Sequence, residues 1–340
     1  MQRYGGPEVL ELTDVPEPKV GPDSVLVRAK AAGVNPVDWK IREGYLDGLF
    51  PTHFPVIPGW DLAGVVERVG PAVSEFSPGD EVIGYVREDH LERGTYAELV
   101  SAPVRTLGRK PRGLSWAEAA GLPLAGVTAY QALTKALSVT PDDIVLVHAA
   151  SGGVGSFAVQ IAKVFGAEVT GVTSTKNIDL VRSIGADHVI DYTQKDFTEG
   201  GPRYELILDN VGNHSMAETR RALTPTGMLI SNGGGHANGK LGRTIRTMIV
   251  SMLVKQQASP TVKTQNHDDL IALRDLVEAE KITPVIDGTY PLDQTPQAIA
   301  RVAAGHTRGT IVITVVPRER DRVAAGHPNN AIRTALPATS

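Results

Sequence analysis

The chain contains no cysteine. That absence excludes disulfides, thiolate metal centres and a cysteine nucleophile together. Aromatic residues are scarce, at 5% of 340 residues, and no basic run is interleaved with them, so a nucleic-acid surface is not expected. A formal net charge of −4 gives no pull towards a polyanion. The longest apolar run, near Met248–Val254, is far short of the ~20 residues a bilayer span needs. Met1–Leu12 lacks the basic and apolar regions of a secretory signal, and a cytoplasmic location is the resulting expectation. The histidines are scattered without a pair at zinc-ligand spacing. The one in Arg87–Glu88–Asp89–His90–Leu91–Glu92–Arg93 reads as part of a solvated loop.

What the chain has is a strand, a glycine-rich turn and a helix in succession. Asp143–His148 is an apolar, β-branched run. It leads into Ala149–Ala150–Ser151–Gly152–Gly153–Val154–Gly155, and Val154, Phe157, Ala158, Ile161, Ala162 and Phe165 then recur at helical spacing. This is the pattern of a dinucleotide site, in which a pyrophosphate rests on backbone N–H groups at a helix N-terminus. The usual G-x-G-x-x-G is here Ala150–Ser151–Gly152–Gly153–Val154–Gly155, with alanine in the first position. Gly152 lets the backbone approach the diphosphate, and Gly155 lets the helix pack closely on the strand.

A second strand, Glu168–Thr173, ends at Ser174–Thr175–Lys176–Asn177. NAD sites carry an acid about 20 residues beyond the glycines, for the ribose 2′-hydroxyl. Here no acid precedes Asp179. Hydroxyls and the Lys176 ammonium would instead meet a 2′-phosphate, so NADP(H) is expected rather than NAD(H). Ser174 reads alternatively as the cap of the next helix, with Lys176 solvated.

Along the chain, residues before about Gly113 read as short strands broken by Gly and Pro, including Ser24–Ala29, Gly64–Val69 and Glu81–Tyr85. Ser115–Trp116–Ala117–Glu118 is a capping-box pattern that opens a helix. From there to about Ser259 strands and helices alternate, Glu205–Leu208 and Met228–Ser231 among them, as a doubly wound parallel sheet requires. Helix Asp268–Glu280 leads to strands Val285–Tyr290 and Thr310–Val315. From Pro317 no apolar periodicity remains, and residues 317–340 read as a disordered tail. In Thr244–Val254, Ile245, Met248, Ile249, Met252 and Leu253 share a helical face, either core or a wall of the substrate pocket. Gln257–Thr264 reads as a strand able to pair across a two-fold axis, which makes a homodimer the expectation.

Taken in order, six motifs resemble the zinc-free quinone oxidoreductase and enone reductase branch of the medium-chain dehydrogenase/reductase superfamily. They are Tyr4–Gly5–Gly6–Pro7–Glu8–Val9–Leu10, Ala32–Gly33–Val34–Asn35–Pro36–Val37–Asp38, Pro58–Gly59–Trp60–Asp61–Leu62–Ala63–Gly64–Val65–Val66, Gly79–Asp80–Glu81–Val82, the glycine-rich turn, and Gly185–Ala186–Asp187–His188–Val189–Ile190–Asp191–Tyr192. The resemblance implies an α/β protein in which a discontinuous, β-rich GroES-like catalytic domain flanks a Rossmann domain. Its divisions would be 1–118 and 268–316 for the catalytic part and 119–267 for NADP(H) binding, with the active site in the cleft between them. Zinc-dependent relatives place Cys where Asn35 stands and His where Trp60 stands, and neither Asn nor Trp is an ordinary zinc ligand. The implied chemistry is metal-independent hydride transfer from NADPH to small apolar quinones or α,β-unsaturated carbonyls, where conjugation takes up the charge.

The same resemblance implies roles for individual residues. Asn35 and Asp38 would lie near the nicotinamide, and Thr128 would contact its carboxamide. Tyr192 would lie against the adenosine ribose, and Asn210, Val211, Ser231 and Gly233 would face the nicotinamide ribose. Tyr45 is the candidate proton donor, although related enoyl reductases have tyrosine one position later, where Leu46 stands here. Asp38 and Asp61 read equally as caps of backbone N–H groups, Asn35–Pro36 as a turn and Thr128 as a helix-interior contact. Relatives also have a short strand before Tyr4, for which there is little room after Met1. Two alternatives stay open: an enoyl-thioester reductase using Lys240, Arg243 and Arg246, or an NADPH-binding sensor or structural protein of low turnover.

Overall fold

The structure, a computed structural model, describes residues 1–48, 50–87, 91–232, 257–260, 267–315 and 331–335. The chain divides into two compact units. Unit 1 comprises Met1–Ala125, Gln265–Glu278 and Pro284–Ser340; unit 2 comprises Gly126–Thr264 and Ala279–Thr283. The first crossing follows Ala125, not residue 118, because helix α2 (Trp116–Ala120) packs on the strands of unit 1. Its start is the capping box read from the sequence: Ser115 Oγ accepts from Glu118 N at 3.3 Å, and the Glu118 carboxylate accepts from Ser115 N at 2.8 Å.

Unit 1 is built on a seven-stranded sheet in the order β15-β16-β2-β4-β5-β8, with β7 also pairing with β2. The strands are β2 (Ser24–Val34), β4 (Asp61–Val69), β5 (Glu81–Tyr85), β7 (Leu99–Pro103), β8 (Leu107–Arg109), β15 (Ile286–Pro291) and β16 (Thr310–Thr314). The pairings are antiparallel except that of β15 with β16. β2 runs five residues past Ala29, because Ala31–Val34 pair with β16. Two small sheets complete the unit: β3 (Thr52–Ile57) with β6 (Leu91–Arg93), and β1 (Leu12–Pro16) with β17 (Ala331–Ala335). The last pairing corrects the expectation of a tail without structure, since Ala331–Ala335 runs antiparallel to β1. The segment is short and free of Gly and Pro, so a partner strand suffices to order it. Met1 is buried, its ammonium group donating to Val56 O at 2.7 Å and its carbonyl accepting from Val56 N at 2.8 Å.

Around that sheet lie α1 (Pro36–Arg42), α7 (His267–Glu278) and α8 (Thr295–Ala303). α1 opens with Pro36, whose fixed φ and missing N–H suit the first turn of a helix. Val27, Leu62, Val82, Ile299 and Ile313 are among the residues of one apolar core.

Unit 2 carries a six-stranded sheet, all parallel, in the order β11-β10-β9-β12-β13-β14. These are β9 (Ile144–His148), β10 (Glu168–Thr173), β11 (His188–Asp191), β12 (Tyr204–Asp209), β13 (Leu223–Ser231) and β14 (Gln257–Pro260). Helices α4 (Gly153–Val164), α5 (Ile178–Ser183) and α6 (Met216–Ala222) run between successive strands, and α3 (Pro123–Gln131), which begins in unit 1, precedes β9. The central strands are near-continuous apolar runs, as a sheet covered on both faces demands. The order of strands reverses between β9 and β12. That is the topological switch point, outside whose carboxyl ends open α/β sheets bind ligands.

Candidate active site

The candidate residues fall in both units, and each half is built separately. In unit 2, β9 delivers the chain to the glycine-rich turn and α4 takes it away. Gly155 is dictated by packing: a Cβ there would lie 2.1 Å from the Ala149 carbonyl oxygen and 2.9 Å from Ala150 Cα, both backbone atoms. Gly152 is different. A Cβ at Gly152 would meet only Ala149 O, at an ordinary 3.4 Å, so the protein's own packing does not require glycine there. Its bareness leaves room for a group outside the protein, at the N-cap of a twelve-residue helix. Ala150 is fully buried, its Cβ set against Gly171, and its N–H bonds to Val172 O. Gly153 and Val154 form the first turn of α4.

The hydroxyl of Ser151 turns inward. Thr173 Oγ1 lies 3.0 Å from it and Asn177 Nδ2 donates to it at 3.1 Å. The same amide reaches Ser174 Oγ at 3.4 Å. Ser174 occupies the N-cap position of the short helical turn Thr175–Asn177, yet its side chain makes no capping bond there. Lys176 is exposed and makes no ion pair among the described residues. Thr175 is committed elsewhere, donating to Asp191 at 2.6 Å. That carboxylate also accepts from Thr193 and Gln194, and these bonds, Thr175 first, hold its pKa below the usual carboxylate range. Tyr192, beside it, is 47% exposed.

At the switch point the ends of β9, β12 and β13 are tied by side chains. Asn210 Nδ2 donates to His148 O at 2.9 Å, and Asn232 Nδ2 to Asn210 Oδ1 at 2.9 Å. Asp209 accepts from Val211 N and Gly212 N and pairs with His148 Nδ1 at 3.0 Å. Val211 is left exposed, and Ser231 ends β13 half-buried. Thr128 is 1% exposed, and its Oγ1 has no hydrogen-bond partner. A buried hydroxyl without a partner is costly, and Thr95 and Thr170 share that state among the described residues.

In unit 1, Asn35 and Asp38 are brought together at the start of α1. Asp38 Oδ2 accepts from Asn35 N at 2.6 Å and from Tyr96 Oη at 2.7 Å, and its Oδ1 is buried without a hydrogen-bond partner among the described residues. Asn35 Nδ2 donates to Asp61 Oδ2 at 2.8 Å, while Asp61 Oδ1 accepts from Leu124 N. Both acids therefore do cap backbone N–H groups, and they also clamp Asn35 from two sides. Burial pushes the Asp38 carboxyl up to about 7, against the opposing bonds from Asn35, Tyr96 and Gly59. Tyr45, the candidate proton donor, is 50% exposed with its ring edge-on to Trp39, whereas Leu46 packs against the core. Asp61, Tyr96, Asn177 and Asp209 were not singled out by pattern as site residues, since each acts through a partner distant in sequence. Gly233, the Thr244–Val254 stripe, Lys240, Arg243, Arg246 and His90 lie outside the described residues.

Two families match the chain: the alcohol dehydrogenase GroES-like domain over residues 21–112 and the zinc-binding dehydrogenase family over 184–313. The chloroplast envelope quinone oxidoreductase homolog of Arabidopsis thaliana is 34% identical over 318 residues, spanning 91% of this chain and 95% of that one. The chain belongs to the quinone oxidoreductase branch of the medium-chain dehydrogenase/reductase superfamily. The chloroplastic NADPH-dependent alkenal/one oxidoreductase of the same plant is 34% identical, over 92% of this chain and 78% of its own. Among solved structures, the Escherichia coli quinone oxidoreductase complexed with NADPH superimposes with a TM-score of 0.80 at 25% identity, covering 92% of this chain and 98% of that one.

One of the matching families is named for zinc, so the fit of a zinc ion to this donor set matters. Asn35 spends its amide on Asp61. Trp60 is 7% exposed and packs edge-on to Phe50 and tilted against Tyr85, with ring centroids 6.2 and 6.1 Å away. An indole and an engaged carboxamide do not make a zinc site. Among the described residues no group of three or more His, Asp or Glu is placed to hold a metal.

Proposed function

We propose that this protein is an NADPH-dependent, zinc-independent reductase of quinones and α,β-unsaturated carbonyl compounds. The observation that carries the reading is the glycine pair at the switch point, with Gly155 required by the protein's packing and Gly152 not. In this reading the backbone N–H groups of Gly153, Val154 and Gly155 hold the diphosphate at the N-terminus of α4. Ser174 and Lys176 receive the 2′-phosphate, Thr128 Oγ1 bonds the nicotinamide carboxamide, and Tyr192, Asn210, Val211 and Ser231 line the riboses. NADPH, when bound, supplies the hydride. The donor set around Asn35 and Trp60 supports chemistry without a metal Lewis acid. Conjugated acceptors suit such a protein, because the arriving charge spreads onto an oxygen that a few preorganised donors can stabilise. Asn35, held through its side chain by Asp61 and through its backbone by Asp38, keeps its second amide N–H for that task.

Steady-state NADPH oxidation against a panel of quinones, enones and enoyl thioesters, with and without chelator, tests the reading. Turnover of the first two classes, unaffected by chelation, is expected; loss of activity on chelation with recovery on added zinc would overturn zinc independence. Lys176→Ala should weaken NADPH more than NADH by ~1.5–3 kcal/mol, the worth of one charge-assisted hydrogen bond. Equal weakening of both would remove Lys176 from the phosphate site. A homodimer belongs to the same proposal: β14 is the edge strand among the described strands of its sheet, and sheet edges invite pairing with a second copy. Sedimentation equilibrium giving a monomer would remove that part.

A further inference from the structure

We propose that Asn177 is a positioning residue that sets cofactor choice, its carboxamide tying the Ser151 hydroxyl of the diphosphate turn to the Ser174 hydroxyl at the end of β10. The inference rests on the cofactor reading above and adds a residue that touches neither phosphate.

Three observations carry it. Asn177 is only 2% exposed, so its amide is held within the protein. Its Nδ2 lies within reach of both serine oxygens, at 3.1 Å from Ser151 and 3.4 Å from Ser174, although those serines stand 23 positions apart in the sequence. Its Oδ1 is buried with no hydrogen-bond partner among the described residues. A burial that leaves one end of an amide unsatisfied costs free energy, and within the bare fold a hydrophobic side chain would avoid that cost.

The chemistry follows from what an amide nitrogen can do. It donates only, so each serine oxygen that it faces must accept from it. The hydroxyl proton of each serine is then left to be donated elsewhere. Ser174 makes no capping bond, and the Ser151 oxygen, at the foot of α4, already accepts from Thr173 and Asn177, so each hydroxyl keeps its proton for an acceptor that comes within reach. One buried amide thus presets two donors, one for each anionic end of the cofactor. An acid in its place would reverse both: a carboxylate accepts, the serine protons would turn inward to it, and negative charge would stand beneath the 2′-phosphate.

The test is calorimetric titration of the full-length protein with NADPH, NADH, adenosine 2′,5′-bisphosphate and AMP, on wild type, Asn177→Asp and Asn177→Leu. The ratio of NADPH to NADH affinity should fall at least tenfold in Asn177→Asp and by a smaller factor in Asn177→Leu. The bisphosphate should lose its advantage over AMP in parallel. A purely structural Asn177 would weaken all four ligands alike, and that result, or an unchanged ratio, overturns the proposal. Should both variants fail to fold, Ser151→Ala and Ser174→Ala replace them. Linked through Asn177, their effects on NADPH affinity must be non-additive in the double variant, and additivity overturns the proposal. A wild-type protein without preference for NADPH would overturn the cofactor reading, and this inference with it. Retention of the preference in the variants overturns the inference alone.

Discussion

Asp38 in unit 1 and Asp209 in unit 2 are the same side chain, both almost wholly buried, and their surroundings drive them in opposite directions. Asp38 is surrounded by neutral donors: Asn35 N and Tyr96 Oη bond to it, and burial dominates, raising its pKa to about 7. The pressure is mutual, since burial and the neighbouring Asp38 push the Tyr96 phenol well above its ordinary value. Burial also raises Asp209, but the His148 bond and charge, with the N–H groups of Gly212 and Val211, outweigh it and leave its pKa lowered. Neutral donors soften desolvation, whereas a basic partner with aligned backbone N–H groups reverses it. Unit 1 therefore holds an acid that keeps its proton into the neutral range, and unit 2 a carboxylate ionised well below it.

The largest expected effect follows from that contrast. Because the folded pKa of Asp38 lies above its unfolded value of 3.8, the native state binds the extra proton in between. Its contribution is fully present below about pH 4 and is lost as pH rises through about 7, a swing of at most about 4 kcal/mol. Asp38→Asn should lack this dependence and gain stability over wild type between pH 5 and pH 8. For Asp209 the sign is reversed: a lowered pKa gives stability that is present at neutral pH and lost only as the solution is made strongly acid. Asp209→Asn should therefore destabilise at pH 8, by about 1–3 kcal/mol, by leaving His148 and two N–H groups poorly matched. Urea denaturation of both variants at the two pH values measures this. The same sign for both substitutions at pH 8 would break the comparison.

Next in size comes the pair of glycines at the turn of unit 2. Gly155→Ala forces a methyl into backbone atoms at 2.1–2.9 Å, and about 1–3 kcal/mol of stability should be lost by overpacking. Gly152→Ala meets nothing closer than 3.4 Å, so thermal stability should stay within about 0.5 kcal/mol while NADPH affinity falls at least tenfold. Thermal melts and NADPH titration of the two variants separate packing from ligand approach. A Gly152→Ala protein that binds NADPH normally would show that no ligand approaches there.

How legible these two regions were in the sequence differs as well. In unit 2 periodicity sufficed: the strands at Glu168–Thr173 and Ile144–His148 and the helix after Gly152 lie where apolar spacing puts them. The turn is local in sequence, and local signals survive folding. Unit 1 was harder, because its network joins Asn35 to Asp61, Asp38 to Tyr96 and Asp61 to Leu124 across 26 to 63 positions. No spacing rule encodes such contacts. Only the acids themselves, Asp38 in the first turn of α1 and Asp61 at the start of β4, point to capping. Asn177 escaped notice for the same reason, its meaning lying in Ser151, and β17 because its order depends on β1.

The smallest effect concerns backbone strain. Each unit has a residue in the left-handed region next to its buried acid's network. In unit 1 it is Gly59, at φ 98°, where a Cβ would lie 2.5 Å from Thr95 Oγ1 and 2.6 Å from the Tyr96 ring. In unit 2 it is Ala149, at φ 56°, directly after His148. An L-residue there costs roughly 1–2 kcal/mol, so Ala149→Gly relieves strain. Glycine also enlarges the freedom of the unfolded chain, which costs about 0.4–1 kcal/mol. The net gain should be at most about 1.5 kcal/mol. Measured in wild type and in Asp209→Asn, that gain tells what holds the turn. Equal gains mean that the Ala149 conformation is fixed by the backbone bonds of Ala150 to Val172 and of Gly152 to Ala149, independently of the carboxylate. A gain that disappears in Asp209→Asn would mean that the His148–Asp209 pair enforces the strained residue, and the ionised acid of unit 2 would then be shaping its turn as Asp38 shapes the backbone of Asn35.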